Sequence, residues 1–446
     1  MWLDLNPACI GKKVDMQILL INPPNCGRSI PEERYGITSV RQIFRGEPLA
    51  LEELAGNLPD HDVRILDLKA EPDGLDRALN AALPDLVGLT GVTCEANTVR
   101  HLAAKVKAAG VRSVVVGGIH ASILPAFFNH EEVDYICIGL GKLSFRELVE
   151  ALEQGRQPAD IPGIAKTSPG KQLQWLNRDY READLVSHRP PAYQLVAGYR
   201  EHYRLERLKV NMGFVASAAG CPHRCSFCCI KGQSGGRYLT RPPEHVIRDI
   251  ELLADIPVIR LIDANTLGNL EQARELGEAL RSAGLNKQFL ADVRSDTVVN
   301  HPELFQLWRE AGLRALIIGF EELDDRRLTA MNKANRAAIN RAAVGILQDL
   351  GITIVGDFIV SPGYQEEDFR RLGDYLASSQ IDLPIITVLT PLPGTDYHRH
   401  RQQEIINHDL DYYTLTNAVT PTKLAEEEFY RLYAELVRTS HQQAKL

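Results

Sequence analysis

The sequence predicts an α/β protein made of two parallel-sheet units, a doubly wound sheet followed by a partial (β/α)6 barrel. Three observations predict it. Short apolar runs alternate with segments of helical spacing over the first 150 residues, the pattern of a parallel sheet covered on both faces. The rhythm stops between 153 and 205, where Pro158, Pro162, Pro169, Pro190 and Pro191 interrupt a stretch of mixed charge. It then restarts and gives six strand–helix units in about 190 residues, too few for an eight-unit barrel.

In the first unit, Gln17–Asn22, Val63–Leu68, Leu86–Val92, Ser113–Val116 and Tyr135–Ile138 are short apolar runs and predict buried strands. Between them, Leu49–Leu58, Leu75–Leu83 and Asn97–Ala109 repeat apolar residues three and four apart, the helical period. The segment 153–205 predicts a linker with some extended structure. In the second unit the predicted strands are Val210–Ser217, Val258–Asp263, Gln288–Val293, Ala315–Phe320, Ile352–Val360 and Ile385–Leu389. Helical patterns near 243–254, 270–283, 302–311, 336–350 and 366–379 separate them. A polar tail follows Gly394, and an amphipathic helix at Glu426–Thr439 closes it with a packing face of Phe429, Leu432, Tyr433 and Leu436. His398, His400 and His408 in the tail are expected at the surface. The expected divisions are 1–152, 153–205, 206–396 and 397–446. Right-handed crossovers put ligand sites at the carboxyl ends of both sets of strands.

Over 446 residues, 44% hydrophobic and 24% charged is the balance of a globular chain and excludes a disordered or fibrous one. Lys and Arg number 50 against 58 Asp and Glu, a net charge of −8, which excludes a nucleic-acid binder working through a broad basic surface. No apolar run reaches the roughly 18 residues of a membrane span. Met1-Trp2-Leu3-Asp4-Leu5-Asn6 lacks the basic start and apolar core of a signal peptide, so a cytoplasmic protein is expected.

Cys9, Cys26, Cys94 and Cys137 are scattered and are expected as small buried hydrophobes. Cys221, Cys225, Cys228 and Cys229 lie together, and in a chain of this size such a cluster predicts metal binding rather than a disulfide framework. Cys221-Pro222-His223-Arg224-Cys225-Ser226-Phe227-Cys228 is a C-x3-C-x2-C loop placed just after the first strand of the second unit. Three thiolates on one loop can hold three irons of a 4Fe-4S cube and leave the fourth iron open to a ligand. The alternative is a zinc site, which wants four closed protein ligands. His223 lies within the loop to supply a fourth, whereas Cys229, adjacent to Cys228, points away from a shared centre.

The loop and the Gly235-Gly236-Arg237-Tyr238-Leu239-Thr240-Arg241 stretch after it resemble the radical S-adenosylmethionine superfamily. That resemblance implies that S-adenosylmethionine chelates the open iron through its amino and carboxylate groups. It further implies reductive cleavage to methionine and a 5′-deoxyadenosyl radical. The resemblance runs over about 190 residues, because polar groups end the later strands: Asp263-Ala264-Asn265, Arg294-Ser295-Asp296, Gly319-Phe320-Glu321-Glu322 and Pro391-Leu392-Pro393-Gly394-Thr395. In a barrel such strand ends line the mouth, where sites are built. The resemblance implies Asp263, Arg294 and Glu321 as contacts to the methionine and ribose parts of the cofactor, the alternative being loop caps or ion-pair partners.

The first unit resembles a cobalamin-binding domain of flavodoxin-like fold through Val114-Val115-Val116-Gly117-Gly118-Ile119-His120-Ala121-Ser122. Gly117 and Gly118 after an apolar strand let the backbone approach the corrin or its nucleotide tail, and His120 is either a corrin neighbour or a turn histidine. Domains that ligate cobalt from below carry D-x-H-x-x-G. Here the stretch is Asp67-Leu68-Lys69-Ala70-Glu71-Pro72, and an ammonium offers cobalt no lone pair. Gly139-Leu140-Gly141-Lys142 stands where relatives carry an acidic Gly-Glu-Gly-Glu.

Together the resemblances imply a cobalamin-dependent radical S-adenosylmethionine C-methyltransferase with a 4Fe-4S cluster and an electron donor such as flavodoxin or ferredoxin. The Arg200–Arg204 lead-in and Pro421-Thr422-Lys423-Leu424 resemble enzymes acting on hopanoid lipids or tetrapyrroles. The rival readings are a cobalamin-containing cyclase or oxidoreductase without methyl transfer, and a non-enzymatic iron–sulfur or corrinoid sensor.

Overall fold

The computed structural model describes residues 16–38, 46–158, 160–185, 189–205 and 210–445, so Cys9 lies outside the described residues. The first sheet has six strands: β1 (Gln17–Asn22), β2 (Asp62–Asp67), β3 (Leu86–Leu89), β4 (Ser113–Val116), β5 (Tyr135–Cys137) and β6 (Ile164–Lys166). Their order is β2-β1-β3-β4-β5-β6, and all pairs are parallel except β5 with β6. The segment expected as linker therefore contributes the edge strand of this sheet. Ile18, Leu19, Leu20 and Ile21 are all buried because both faces are covered, which is why β1 is an unbroken apolar run. Leu20 and Val115 pack with Leu51 and Phe145 of the helices Leu49–Gly56 and Lys142–Glu153. Leu19 and Ile21 pack on the other face with Val99 and Leu79 of Ala96–Ala108 and Gly74–Ala81. Strand order reverses between β1 and β3, the point at which open α/β sheets bind ligands.

The second sheet begins with the short edge strand β7 (Arg204–Leu205), antiparallel to β8 (Val210–Val215). A small ribbon, β9 (Ala218–Gly220) with β10 (Tyr238–Thr240), flanks the cysteine loop. The remaining strands are β11 (Val258–Leu261), β12 (Gln288–Val293), β13 (Leu313–Glu321), β14 (Thr353–Val360) and β15 (Leu383–Val388). From β8 to β15 six parallel strands lie in sequence order, the open half-barrel that six strand–helix units predict. Helices Pro243–Glu251, Leu270–Ala283, Pro302–Ala311, Ala337–Asp349 and Glu366–Ser378 follow the strands. Buried Trp308 ties two of them, its indole N–H donating to the Ala273 carbonyl at 2.9 Å. On the face away from these helices, Leu290, Ile317, Val355 and Leu383 form an apolar floor.

Several apolar runs overshoot their strands at the carboxyl end: β3 stops at Leu89, β8 at Val215 and β11 at Leu261. Those ends are where the chain leaves the sheet to build its sites. The closing helix, Glu426–Gln443, buries Phe429, Tyr433 and Leu436, and the Tyr433 hydroxyl donates to the Ile386 carbonyl at 2.7 Å. The polar tail before it returns to the first unit. Asn97 donates to Asp409 and Asp411, and Asn417 accepts from the Ile30 amide at 2.8 Å while donating to the Arg28 carbonyl at 2.7 Å. No helix among the described residues is long and apolar enough to cross a membrane.

Candidate functional site

Asp263, just past β11, accepts from the Ser217 amide (2.7 Å), the Ala218 amide (2.8 Å) and the Ser217 hydroxyl (2.5 Å). Burial raises its pKa, and these donors pull against that. Both carboxyl oxygens are thus spent on the turn that feeds β9. Asp263 thereby holds the turn that leads into β9 and the cysteine loop.

The loop runs from Cys221 to the short helix Ile230–Ser234. Three bonds fix it to the barrel: the Ser226 amide to the Met331 carbonyl (2.9 Å), the Tyr397 amide to the Ser226 carbonyl (2.8 Å), and Asn332 to the Arg224 carbonyl (2.6 Å). Cys221, Cys225 and Cys228 are half-exposed. Burial pushes the Cys228 thiol up to about 12, and Cys229, Cys225 and Cys221 push the same way. Burial also raises Cys225, opposed by the positive charges of Lys333 and Arg294. As thiolates the three would repel one another, a cost that a cationic metal group between them offsets, and the donor set fits a cube. Among the described residues no three such side chains close on a single ion. A cube takes its thiolates on separate irons, so its ligands stand farther apart than those of one zinc.

Beside the loop lies a buried charge group. Glu321 ends β13 at φ +63°, where the ladder to β14 shifts register, and it meets the Lys333 ammonium at 2.5 Å. Arg294 makes a two-pronged bond to Asp296 (2.9 and 2.9 Å) and donates to the Lys333 carbonyl at 2.8 Å. Burial lowers the His223 pKa, with Arg294 pushing the same way, and Glu321 acts on Cys225, so Arg294 and Glu321 both lie within electrostatic range of the loop.

In the first unit a narrow slot runs along Gly88, Val115, Gly117, Gly118 and Gly141. Gly118 has φ +92°, and a Cβ there would lie 2.6 Å from Thr90 Oγ1 and 2.9 Å from the Gly91 nitrogen, so only glycine fits. The slot is the kind of cradle a flat nucleotide base needs. Lys142 lines it and pairs with Glu53 at 3.6 Å. His120 does not line it. The ring is fully buried, with Nδ1 on Thr93 Oγ1 at 3.3 Å and its edges against Phe127 and Phe128, and burial drops its pKa to about 4. His120 is thus a buried histidine whose ring stands off the slot lining.

At the ends of β1 and β2 a cavity of about 620 Å³ is lined by Asn22, Cys26, Asp67, Lys69, Glu95 and Tyr203 among others. Lys69 bonds Glu95 at 2.9 Å; burial acts to lower its pKa, but Glu95 outweighs burial and holds it as the ammonium. Asp67 accepts from Asn22 (2.8 Å) and from Tyr203 (2.9 Å). Cys26 and Cys94 border this cavity and are half-exposed, which corrects their expected burial, whereas Cys137 is buried as expected. Sequence reasoning missed Lys333, Tyr203 and Gln233. The last, from the helix after the cysteine loop, lines the glycine slot of the other unit.

Residues 215–376 match the radical SAM superfamily and residues 43–149 the B12 binding domain. The hopanoid C-3 methylase of Methylococcus capsulatus is 28% identical over 406 residues, covering 89% of this chain and 76% of its own. The anaerobic magnesium-protoporphyrin IX monomethyl ester cyclase of Synechocystis is 24% identical over 412 residues, covering 86% and 77%. The radical S-adenosylmethionine methyltransferase TsrM from Kitasatospora setae, solved with cobalamin and a 4Fe-4S cluster bound, superposes with a TM-score of 0.71 at 18% identity, over 89% of this chain and 79% of that one. The fold is shared across both units.

Proposed function

We propose that this chain, which belongs to the radical SAM superfamily and carries a B12 binding domain ahead of the barrel, is a cobalamin-dependent C-methyltransferase. The observation that carries this reading is the contact between its two sites: the helix that follows the cysteine loop lines the glycine slot through Gln233. When bound, the cluster with S-adenosylmethionine supplies a carbon-centred radical that removes a substrate hydrogen, and cobalamin supplies the methyl group. Cys221, Cys225 and Cys228 hold the cluster. Arg294 and Lys333 place positive charge beside Cys225 and offset the negative charge of the thiolates. Glu321, fixed by Lys333, presents a carboxylate at the end of β13 for an amine or hydroxyl of the cofactor. Gly117 and Gly118 admit the nucleotide tail of cobalamin to the slot.

The substrate is an unactivated carbon of a hopanoid-type lipid or a tetrapyrrole, the classes named in the relatives above. A flavodoxin- or ferredoxin-type carrier supplies electrons. The magnesium-protoporphyrin cyclase relative favours a second reading, radical ring closure without methyl transfer. Anaerobic reconstitution followed by product analysis separates them. S-adenosylhomocysteine and 5′-deoxyadenosine formed in equal amounts support methylation, 5′-deoxyadenosine alone identifies the second reading, and neither product overturns both.

A further inference from the structure

We propose that Ile123 is a positioning residue that sets the spacing between the cobalamin slot and the cysteine loop; the inference rests on the function proposed above. Ile123 ends the helix Ile119–Ile123, which starts immediately after Gly117 and Gly118. That helix is held to both glycine turns of the slot by its neighbour: the Ser122 hydroxyl donates to the Gly118 carbonyl at 2.8 Å and accepts from the Gly139 amide at 2.9 Å. On its other side Ile123 enters a hole made by two glycines of the second unit. A Cβ at Gly232 would lie 2.3 Å from Ile123 Cγ2, and one at Gly394 would lie 2.9 Å from Ile123 Cβ. Gly232 is four residues past Cys228, and its amide bonds the Cys229 carbonyl at 2.9 Å. Gly394 belongs to the loop after β15, the sixth barrel strand.

One side chain therefore joins the slot, the ligand loop and a barrel-mouth loop. The cysteine loop is already fixed to the barrel through Ser226 and Arg224, so it cannot yield toward its own unit. Packed interiors pass such constraints on as rigid displacement rather than absorbing them. A methyl donor and a substrate radical react only in register, and a misplacement of about 1 Å costs on the order of 100-fold. Ile123 fixes that register from outside the slot, whose lining does not include it.

The test uses the full chain reconstituted with cluster and cobalamin, with iron and corrinoid content measured for every variant. Gly232 sits in helical backbone, so Gly232→Ala brings no strain of its own and only crowds Ile123. Two readouts are taken: the magnetic coupling between cob(II)alamin and the reduced cluster, which reports their separation, and methylated product formed per 5′-deoxyadenosine. With Gly232→Ala the spin coupling changes and the product ratio falls roughly 10-fold or more. Adding Ile123→Ala in that background vacates the space and returns both readouts toward the parent, a non-additive pair. Ile123→Val alone keeps both. If Gly232→Ala loses iron, Ile123→Ala alone, which loosens the hole, shows the same two changes. Full cofactor content with unchanged spin coupling and ratio in Gly232→Ala and Ile123→Ala overturns the proposal and leaves the methyltransferase reading standing. A parent protein that takes up no corrinoid overturns both.

Discussion

Lys333→Met is the perturbation that tests the charge group beside the cysteine loop. Lys333 and Glu321 meet at 2.5 Å with side chains only 7% and 8% exposed. Removing one partner of such a pair leaves the other charge buried and alone, which costs about 3–5 kcal/mol. Removing both charges is far milder, so Glu321→Gln with Lys333→Met is expected within about 1 kcal/mol of the parent. Glu321 itself sits at φ +63°, a left-handed conformation worth about 1–2 kcal/mol of strain for a side-chain-bearing residue. A chain holds a carboxylate in that conformation only where surrounding contacts determine it.

Urea unfolding followed by tryptophan fluorescence measures the effect where it occurs. Trp308 is fully buried in the barrel, while Trp175 is 39% exposed and already meets water. At a slope of about 1–3 kcal/mol per molar urea, the single variant shifts the barrel midpoint down by about 1–5 M. S-adenosylmethionine binding then separates positioning from packing. With Glu321 in contact with the cofactor, the double variant regains stability but not binding. A midpoint for Lys333→Met within 0.3 M of the parent, on the order of the measurement error, refutes the buried-pair argument. Full recovery of binding in the double variant makes Glu321 an ion-pair partner only.

Alanine at Cys221, Cys225 or Cys228 abolishes the iron–sulfur absorbance and all S-adenosylmethionine cleavage, whereas Cys229→Ala keeps both; iron analysis of the four reconstituted variants checks this. Bound cob(II)alamin gives a base-off electron paramagnetic resonance spectrum without a nitrogen triplet, because Lys69 is an ammonium held by Glu95. A triplet would locate a histidine ligand, and its loss on His202→Ala would identify the imidazole bordering the cavity. His120, with a folded pKa of about 4 against an ordinary 6.5, stays neutral in the core. The stability it carries is complete above pH 6.5 and is lost as pH falls toward 4, by up to about 3 kcal/mol. Denaturation midpoints of the parent and His120→Phe at pH 7.5 and 5 check it: the variant loses that part of the pH dependence.

The sequence holds what is local and periodic. The cysteine loop is legible because all its ligands lie on one short stretch, and the two sheets are legible because strands buried on both faces must be unbroken apolar runs, as Ile18 to Ile21 are. Strand ends are less legible, since Thr90, Ser217 and Asp263 continue an apolar-looking run while serving the sites. β6 was hidden by the prolines on either side of it, at Pro158, Pro162 and Pro169; a short edge strand tolerates such neighbours because its outer side carries only a single bridge, Ala165 with Trp175. His120 shows the limit of reading by proximity. Following two glycines, it reads as a corrin neighbour or a turn histidine, yet Phe127 and Phe128 seven and eight residues later pack against it in the core.

What escapes the sequence is pairing across the chain. Lys333 reaches Glu321, Tyr203 reaches Asp67 136 positions away, and Asn417 binds Ile30 and Arg28 at the far end of the protein. None of these residues has a spacing signal, because the spacing exists only once both sheets have formed. The polar tail is the extreme case. Its composition predicts a solvated end, but Asn417 meets the Ile30 amide and the Arg28 carbonyl, the Asp411 carbonyl accepts from the Arg28 amide, and the Asp409 and Asp411 carboxylates accept from the Asn97 side chain. They tie the first unit to the tail at Asn97, Arg28 and Ile30, in addition to the seat of Ile123 between Gly232 and Gly394. Two points of attachment restrain rotation where one would only restrain distance, which is the condition for a methyl donor and a radical carbon to meet in one orientation.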